Sequence, residues 1–190
     1  MTPPLSFVIL GLWVPWMIYW LISASKVKET VRTESLASRA AHIVPLVVAG
    51  ALVMSRPRPW GFLYDRMLPD SLVTFWIGAA ILAAGLAFAV WARVHIGGNW
   101  SGLVTLKQDH ELIRGGPYAM VRHPIYTGVL IAFIGTAIAC GEWRGLVAVA
   151  IVFAALWRKL KLEERWLGEA FGESYSKYRA EVSALIPYLL

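Results

Sequence analysis

The chain has 190 residues, of which 58% are hydrophobic and only 16% charged, with a formal net charge of +6, whereas a soluble domain is about 45 to 50% apolar and about 25% charged. A mean hydropathy of +0.59 and several long apolar runs exclude an ordinary soluble domain and imply an integral membrane protein. The basic surplus then records topology and membrane-surface contact rather than a nucleic-acid footprint, and the single cysteine, Cys140, excludes an intrachain disulfide.

Leu5 to Ala24 carries no charge and is long enough for a first span, since a bilayer core needs roughly 20 helical residues. With no Lys or Arg before Lys26, a cleaved signal peptide is disfavoured. His42 to Met54 reaches span length only if it starts near Leu36, and it is expected to hairpin back against the first span. Arg56 to Pro69 is an outside loop, and Leu72 to Val94 a third span. Ile125 to Cys140 and Trp143 to Leu160 are separated by Gly141-Glu142 alone, so they are expected as antiparallel neighbours. The expectation is an all-α integral membrane protein of about five transmembrane helices, with a cytoplasmic cofactor-binding loop and a C-terminal helix. It forms a single membrane domain over 1–190, with three spans in 1–94 and a catalytic part in 95–190.

Five spans place the termini on opposite sides. Fourteen Lys and Arg fall on the side of the C-terminus and four on the other, which puts the C-terminus in the cytoplasm and the N-terminus outside. In a bacterium the membrane would be the inner, plasma membrane. Trp13, Trp16, Trp20, Trp60, Trp100, Trp143, Trp157 and Trp166 lie near span ends and are expected as interfacial anchors.

Polar, motif-like sequence concentrates in the loop from His95 to Gly128 and in the tail after Arg158. The loop brings His95, His110, His123, Tyr118, Tyr126 and Arg122 beside many glycines, which let a backbone approach a ligand closely. Pro117 and Pro124 each fix a backbone angle. The histidines are 15 and 13 residues apart, with no HExxH or CxxC, so no metal is expected. Neither GxSxG nor GxGxxG occurs, which disfavours a serine hydrolase and a Rossmann nucleotide site. Glu163-Glu164 places two negative charges close to a span end, where uncompensated charge is costly. A cationic ligand would compensate them.

The combination GGPYAMVRHPIYTG at Gly115 to Gly128, EE at Glu163-Glu164, FGESYSKY at Phe171 to Tyr178 and IP at Ile186-Pro187 resembles the isoprenylcysteine carboxyl methyltransferase family and its bacterial relatives, over about half the chain. The resemblance implies a membrane-embedded methyltransferase using S-adenosylmethionine without a Rossmann domain. It places cofactor contacts on His110, Glu111, Leu112, Ile113, Gly116, Tyr118, His123, Pro124, Ile125, Tyr126 and Glu163, and catalytic roles on Glu163, Glu164 and Arg122. Where the eukaryotic enzymes carry an acceptor-side arginine, this chain has Lys159, with Arg158 beside it. The two are expected to steer an anionic acceptor head arriving sideways from the bilayer. A prenylated cysteine carboxylate, a phospholipid amine and a small thiol all remain open as acceptors. The alternative class is a reductase using NADPH, because sterol reductases share a similar C-terminal pattern.

Overall fold

Six α-helices and a two-stranded ribbon account for most of the residues that the computed structural model describes, 3–24, 30–55, 61–100, 105–107 and 111–189. The helices are α1 (Pro3–Ser23), α2 (Leu36–Met54), α3 (Leu72–Ile96), α4 (Pro124–Cys140), α5 (Trp143–Phe171) and α6 (Glu173–Glu181). The fold is that of an all-α membrane protein, as hydropathy required. Length and composition support three spans, within Leu5–Ser23, Leu36–Met54 and Leu72–Asn99. They do not confirm five, because α4 has only 17 residues and α5 joins an apolar half to a charged one. The second helix does begin at Leu36, where the Ser35 hydroxyl accepts the Ser38 N–H at 3.2 Å and so satisfies one of the orphan donors of the first turn.

The closest packing is between α3 and α4, and glycine makes it possible. A Cβ at Gly78 would lie 2.3 Å from the Ala139 nitrogen, at Gly85 2.5 Å from that of Ala132, and at Gly135 2.3 Å from that of Leu82. These spacings of seven residues put small side chains on one face of each helix, so the backbones meet, as in other membrane helix pairs. The two-residue connection to α5 closes on Gly141 at φ 66°, a left-handed conformation that glycine adopts without steric cost.

α2 does not hairpin onto α1. Its main partner is α5, fastened at both ends. Arg144 donates to the carbonyls of Leu52 at 3.1 Å and Val53 at 3.0 Å, and Arg158 donates to the Ser38 carbonyl at 3.1 Å. α1 rests instead on α3, where Arg93 donates to the Ser23 carbonyl at 2.6 Å, while the Trp13 indole donates to Thr136 of α4 at 3.1 Å. Thus α1 and α2 become the two rims of a gap. α5 runs past Leu160 without a break to Phe171, so Glu163 and Glu164 ride on a continuation of the fifth apolar stretch rather than on a separate tail. The strands β1 (Thr30–Thr33) and β2 (Thr105–Lys107) pair antiparallel, a contact between two loops that hydropathy does not foreshadow.

Candidate active site

The site is built where the start of α4, the charged half of α5 and the C-terminal segment meet. A 3-10 turn over Gly116–Ala119 leads to His123, the residue that precedes Pro124 at the head of α4. Gly116 has φ 57°, and a Cβ there would lie 2.7 Å from the His95 ring, so its role in the structure is to let the turn close over that imidazole. The C-terminal segment fixes this corner through backbone bonds. The Arg122 N–H donates to Ser183 at 2.8 Å and the His123 N–H to Ala184 at 3.0 Å. The Thr127 hydroxyl donates to the Leu185 carbonyl at 2.7 Å. The Tyr178 hydroxyl donates to the Tyr118 carbonyl at 2.6 Å.

With the corner held, the side chains converge. The His123 ring stacks on Tyr126, centroids 5.3 Å apart and planes 7° from parallel, and the Tyr126 hydroxyl donates to Glu163 Oε1 at 2.6 Å. His123 Nδ1 lies 3.6 Å from Glu163 Oε2, and His123 Nε2 3.5 Å from Glu164 Oε1, ion-pair separations rather than well-formed hydrogen bonds. Lys159 Nζ, one turn back on α5, is 3.9 Å from Glu163 Oε1. Glu164 turns to Arg122, which grips Oε1 through Nε at 2.9 Å and Nη2 at 2.5 Å, while Arg179 Nε approaches Oε2 at 3.8 Å. Arg122 also donates to the carbonyls of Val182 and Arg179.

These contacts set the charge states. Burial alone would lower the His123 imidazole, but the flanking Glu163 and Glu164 carboxylates outweigh it and raise its pKa. Burial alone would raise Glu163, yet His123, Lys159 and the Tyr126 hydroxyl hold it below the ordinary carboxylate range. Glu164 is likewise opposed by burial and is brought down to about 2 by His123 and Arg122. Burial, then the Glu163 charge, pushes the Tyr118 phenol up and keeps it protonated. The arrangement therefore presents an ionised Glu163 among aromatic faces.

A cavity of about 750 Å³ opens from this cluster. Tyr118, Arg122, His123, Tyr126, Lys159 and Glu163 line its polar end. Its apolar length runs between the α1 and α2 rims, past Trp20, Trp16, Trp13, Ile43 and Val47, as far as Leu10, Met54 and Thr136. Trp13, Trp16, Trp20, Trp100 and Trp166, expected as interfacial anchors, are walls of this cavity. Asn99 and Trp100 also line it, and the only signal for them in the sequence was their place in the glycine-rich loop.

Of the residues singled out by resemblance, Tyr118, Arg122, His123, Ile125, Tyr126, Lys159 and Glu163 share the cavity. Pro124 is buried at the head of α4, and Ile113 packs on the hydrophobic core beside it. Leu112 is half-buried, and Glu111 is exposed, its N–H on Asn99 Oδ1 at 3.4 Å. His110 lies outside the described residues. Glu164 belongs to the Arg122 clamp rather than to the cavity wall, and Arg158 points to Ser38 on α2. Among the described residues no cluster of His, Cys, Asp or Glu could hold a metal.

The family model for phospholipid methyltransferases matches residues 73–174, more than half of the chain. The chain belongs to this family. Among its relatives, the protein-S-isoprenylcysteine O-methyltransferase of Schizosaccharomyces pombe is 36% identical over 52% of this chain and 43% of its own. The tomato steroid 5-alpha-reductase DET2 is 30% identical over 62% of this chain and 43% of its own. The chain thus spans about half the length of the curated relatives it matches. In fold it is similar to the solved eukaryotic intramembrane Ras methyltransferase ICMT, with a TM-score of 0.57 and 23% identity over 84% of this chain and 55% of the other. The relatives come from yeasts and plants as well as a bacterium, so a specifically bacterial type is not borne out.

Proposed function

We propose that this protein is an S-adenosylmethionine-dependent methyltransferase that modifies a lipophilic acceptor reaching the site from within the bilayer, an isoprenylcysteine carboxylate being the leading candidate. The observation that carries the reading is the single cavity that joins the Glu163 cluster to the gap between α1 and α2. Its polar end suits a cation. Glu163 is held ionised by its neighbours, and Tyr118 and Tyr126 offer π faces, which attract cationic groups. A volume of about 750 Å³ lies within the roughly 300 to 1,000 Å³ of small-molecule and cofactor sites.

S-adenosylmethionine supplies, when bound, an electrophilic methyl group on a sulfonium sulfur. What this chain contributes is position and dryness. Glu163 and the tyrosine faces bind positive charge, and the Arg122–Glu164 clamp with the Ser183–Leu185 carbonyls fixes His123 and Tyr126. The apolar walls guide the acceptor tail and exclude water, so that a reacting oxygen or sulfur can be held in line. An acceptor that is already a carboxylate requires no proton to be removed. The relatives named protein-S-isoprenylcysteine O-methyltransferase support such an acceptor, and the family model supports a phospholipid. The likeness to DET2 supports, as second reading, a reductase using NADPH. The proposed orientation has the site and C-terminus in the cytoplasm, on the fourteen-to-four division of Lys and Arg.

Equilibrium binding to detergent-solubilised protein separates the two classes: S-adenosylmethionine binds and NADPH does not. Transfer of labelled methyl to S-prenylated N-acetylcysteine, a phospholipid amine and a small thiol then ranks the acceptors. Binding of NADPH alone would overturn the methyltransferase reading.

A further inference from the structure

Among the described residues, the buried charged side chains other than Arg93 each have an opposite charge close by. Glu34 faces His42 at 3.3 Å, Glu164 faces Arg122 at 2.5 Å, Lys159 faces Glu163 at 3.9 Å, and His123 lies between both glutamates. Arg93, 4% exposed in the last turn of α3, has no carboxylate partner among the described residues. Its Nη1 donates to the Gly97 carbonyl at 2.9 Å and its Nη2 to the Ser23 carbonyl at 2.6 Å, and the guanidinium lies 4.4 Å from the centre of the Trp100 ring. Those bonds use two of the five N–H donors of an arginine, and the buried Nε has no partner among the described residues. The two carbonyls belong to the ends of α1 and α3, whose partial negative charge offsets the guanidinium without neutralising it.

Arg93 also lines a cleft of about 420 Å³ between the ends of α1 and α3, distinct from the cavity that leads to Glu163. Tyr19 and Ser23 share its wall, and the exposed Ile22 and Val94 flank it. We propose that this cleft binds the phosphate of an acidic membrane lipid, with Arg93 as the counter-ion and Ile22 and Val94 against the acyl chains. The site is independent of the reaction at Glu163. Its depth fits a headgroup, because the third span runs from Leu72 to Asn99 and Arg93 lies near that end. Basic pockets between membrane helices take acidic headgroups, and in the orientation proposed above this end meets the cytoplasmic leaflet, which is the acidic one. A cation in a lipid-facing cleft is costly without a partner. A phosphate diester relieves that cost through charge-assisted hydrogen bonds to the N–H groups that the two carbonyls leave over, and the half-buried Tyr19 adds a hydroxyl donor. A soluble phosphate would meet the guanidinium equally well but leave the apolar flanks uncovered.

The test is native mass spectrometry of the full chain in mixed micelles of detergent, phosphatidylglycerol and phosphatidylcholine. Ammonium acetate at about 0.5 M screens the exposed basic residues, whereas a buried charge is screened much less. Wild type should hold its tightest lipid as phosphatidylglycerol, about tenfold over phosphatidylcholine, which is roughly 1.4 kcal/mol. Val94→Glu sets a carboxylate into the cleft, answers Arg93 from within the protein and should lose that preference. Val94→Gln, of the same size but neutral, should keep it. Because Val94 is exposed on α3, neither change disturbs the packing. Arg93→Met should lose the preference as well, and the Val94 pair decides the matter if the loss of the Ser23 and Gly97 bonds prevents folding. Wild type without a preference, or Val94→Glu and Val94→Gln behaving alike, overturns the site. Displacement of phosphatidylglycerol by inorganic phosphate at equal concentration overturns the lipid as its source.

Discussion

Replacing Arg122 by Met tests whether the Arg122–Glu164 clamp holds the site together. Glu164 has a side chain only 5% exposed, and its carboxyl is brought to about 2 from an ordinary value near 4.3. At about 1.36 kcal/mol per unit, that difference corresponds to ~3 kcal/mol of stabilisation at neutral pH. It agrees in size with the roughly 3 to 5 kcal/mol lost when one partner of a buried ion pair is removed. The sign follows from a depressed carboxylate. The wild-type contribution is complete above the ordinary carboxylate range and is lost only as pH falls toward 2. Arg122→Met removes one of the two groups that oppose burial, so the Glu164 carboxyl moves upward from about 2 while His123 continues to hold it down, and the loss of stability on acidification begins at a higher pH than in wild type. Glu164→Gln removes the buried charge as well as the pair, and it should cost clearly less than Arg122→Met. Thermal unfolding followed by tryptophan fluorescence, from pH 7 down to about pH 4, measures all of this. If Arg122→Met costs under about 1 kcal/mol and loses stability on acidification no earlier than wild type, or if Glu164→Gln is the more damaging change, the clamp is not what fixes this corner.

Three further outcomes are expected. Glu163→Gln, or His123→Ala, should weaken S-adenosylmethionine binding at least about tenfold, roughly 1.4 kcal/mol, and calorimetric affinities equal to wild type in both would remove them from the cofactor site. Gly85→Leu should lower stability by more than about 1 to 3 kcal/mol, since even a Cβ there meets the Ala132 nitrogen at 2.5 Å, whereas Gly50→Ala, with nothing within 4 Å of its Cβ position, should be neutral in the same melt. Arg158→Met should leave acceptor binding intact because Arg158 bonds to Ser38; a selective loss for anionic acceptors would return Arg158 to the site.

The membrane character, the helix starting at Leu36 and the residues from Tyr118 to Tyr126 with Glu163 were legible in the chain. Each is a local matter: apolar length fixes a helix in lipid, and a short motif keeps its neighbours whatever surrounds it. Helix pairing was not legible, because every apolar helix faces lipid equally well and sequence adjacency favours α1 with α2. Close approach at Gly78, Gly85 and Gly135, and the reach of Arg144 and Arg158 onto the ends of α2, decide it instead. The same is true of the two neighbours Lys159 and Arg158. In the chain they are equivalent basic residues at the end of an apolar run, but consecutive helical positions point about 100° apart. That rotation puts Lys159 on the cavity wall beside Glu163 and Arg158 against α2. Composition and motif thus determined that this is a membrane protein with a localised polar site. Only the tertiary structure decided that α1 and α2 stand apart, because the small-residue faces that bring helices together in lipid lie on α3 and α4, leaving between α1 and α2 a cavity that ends at Glu163.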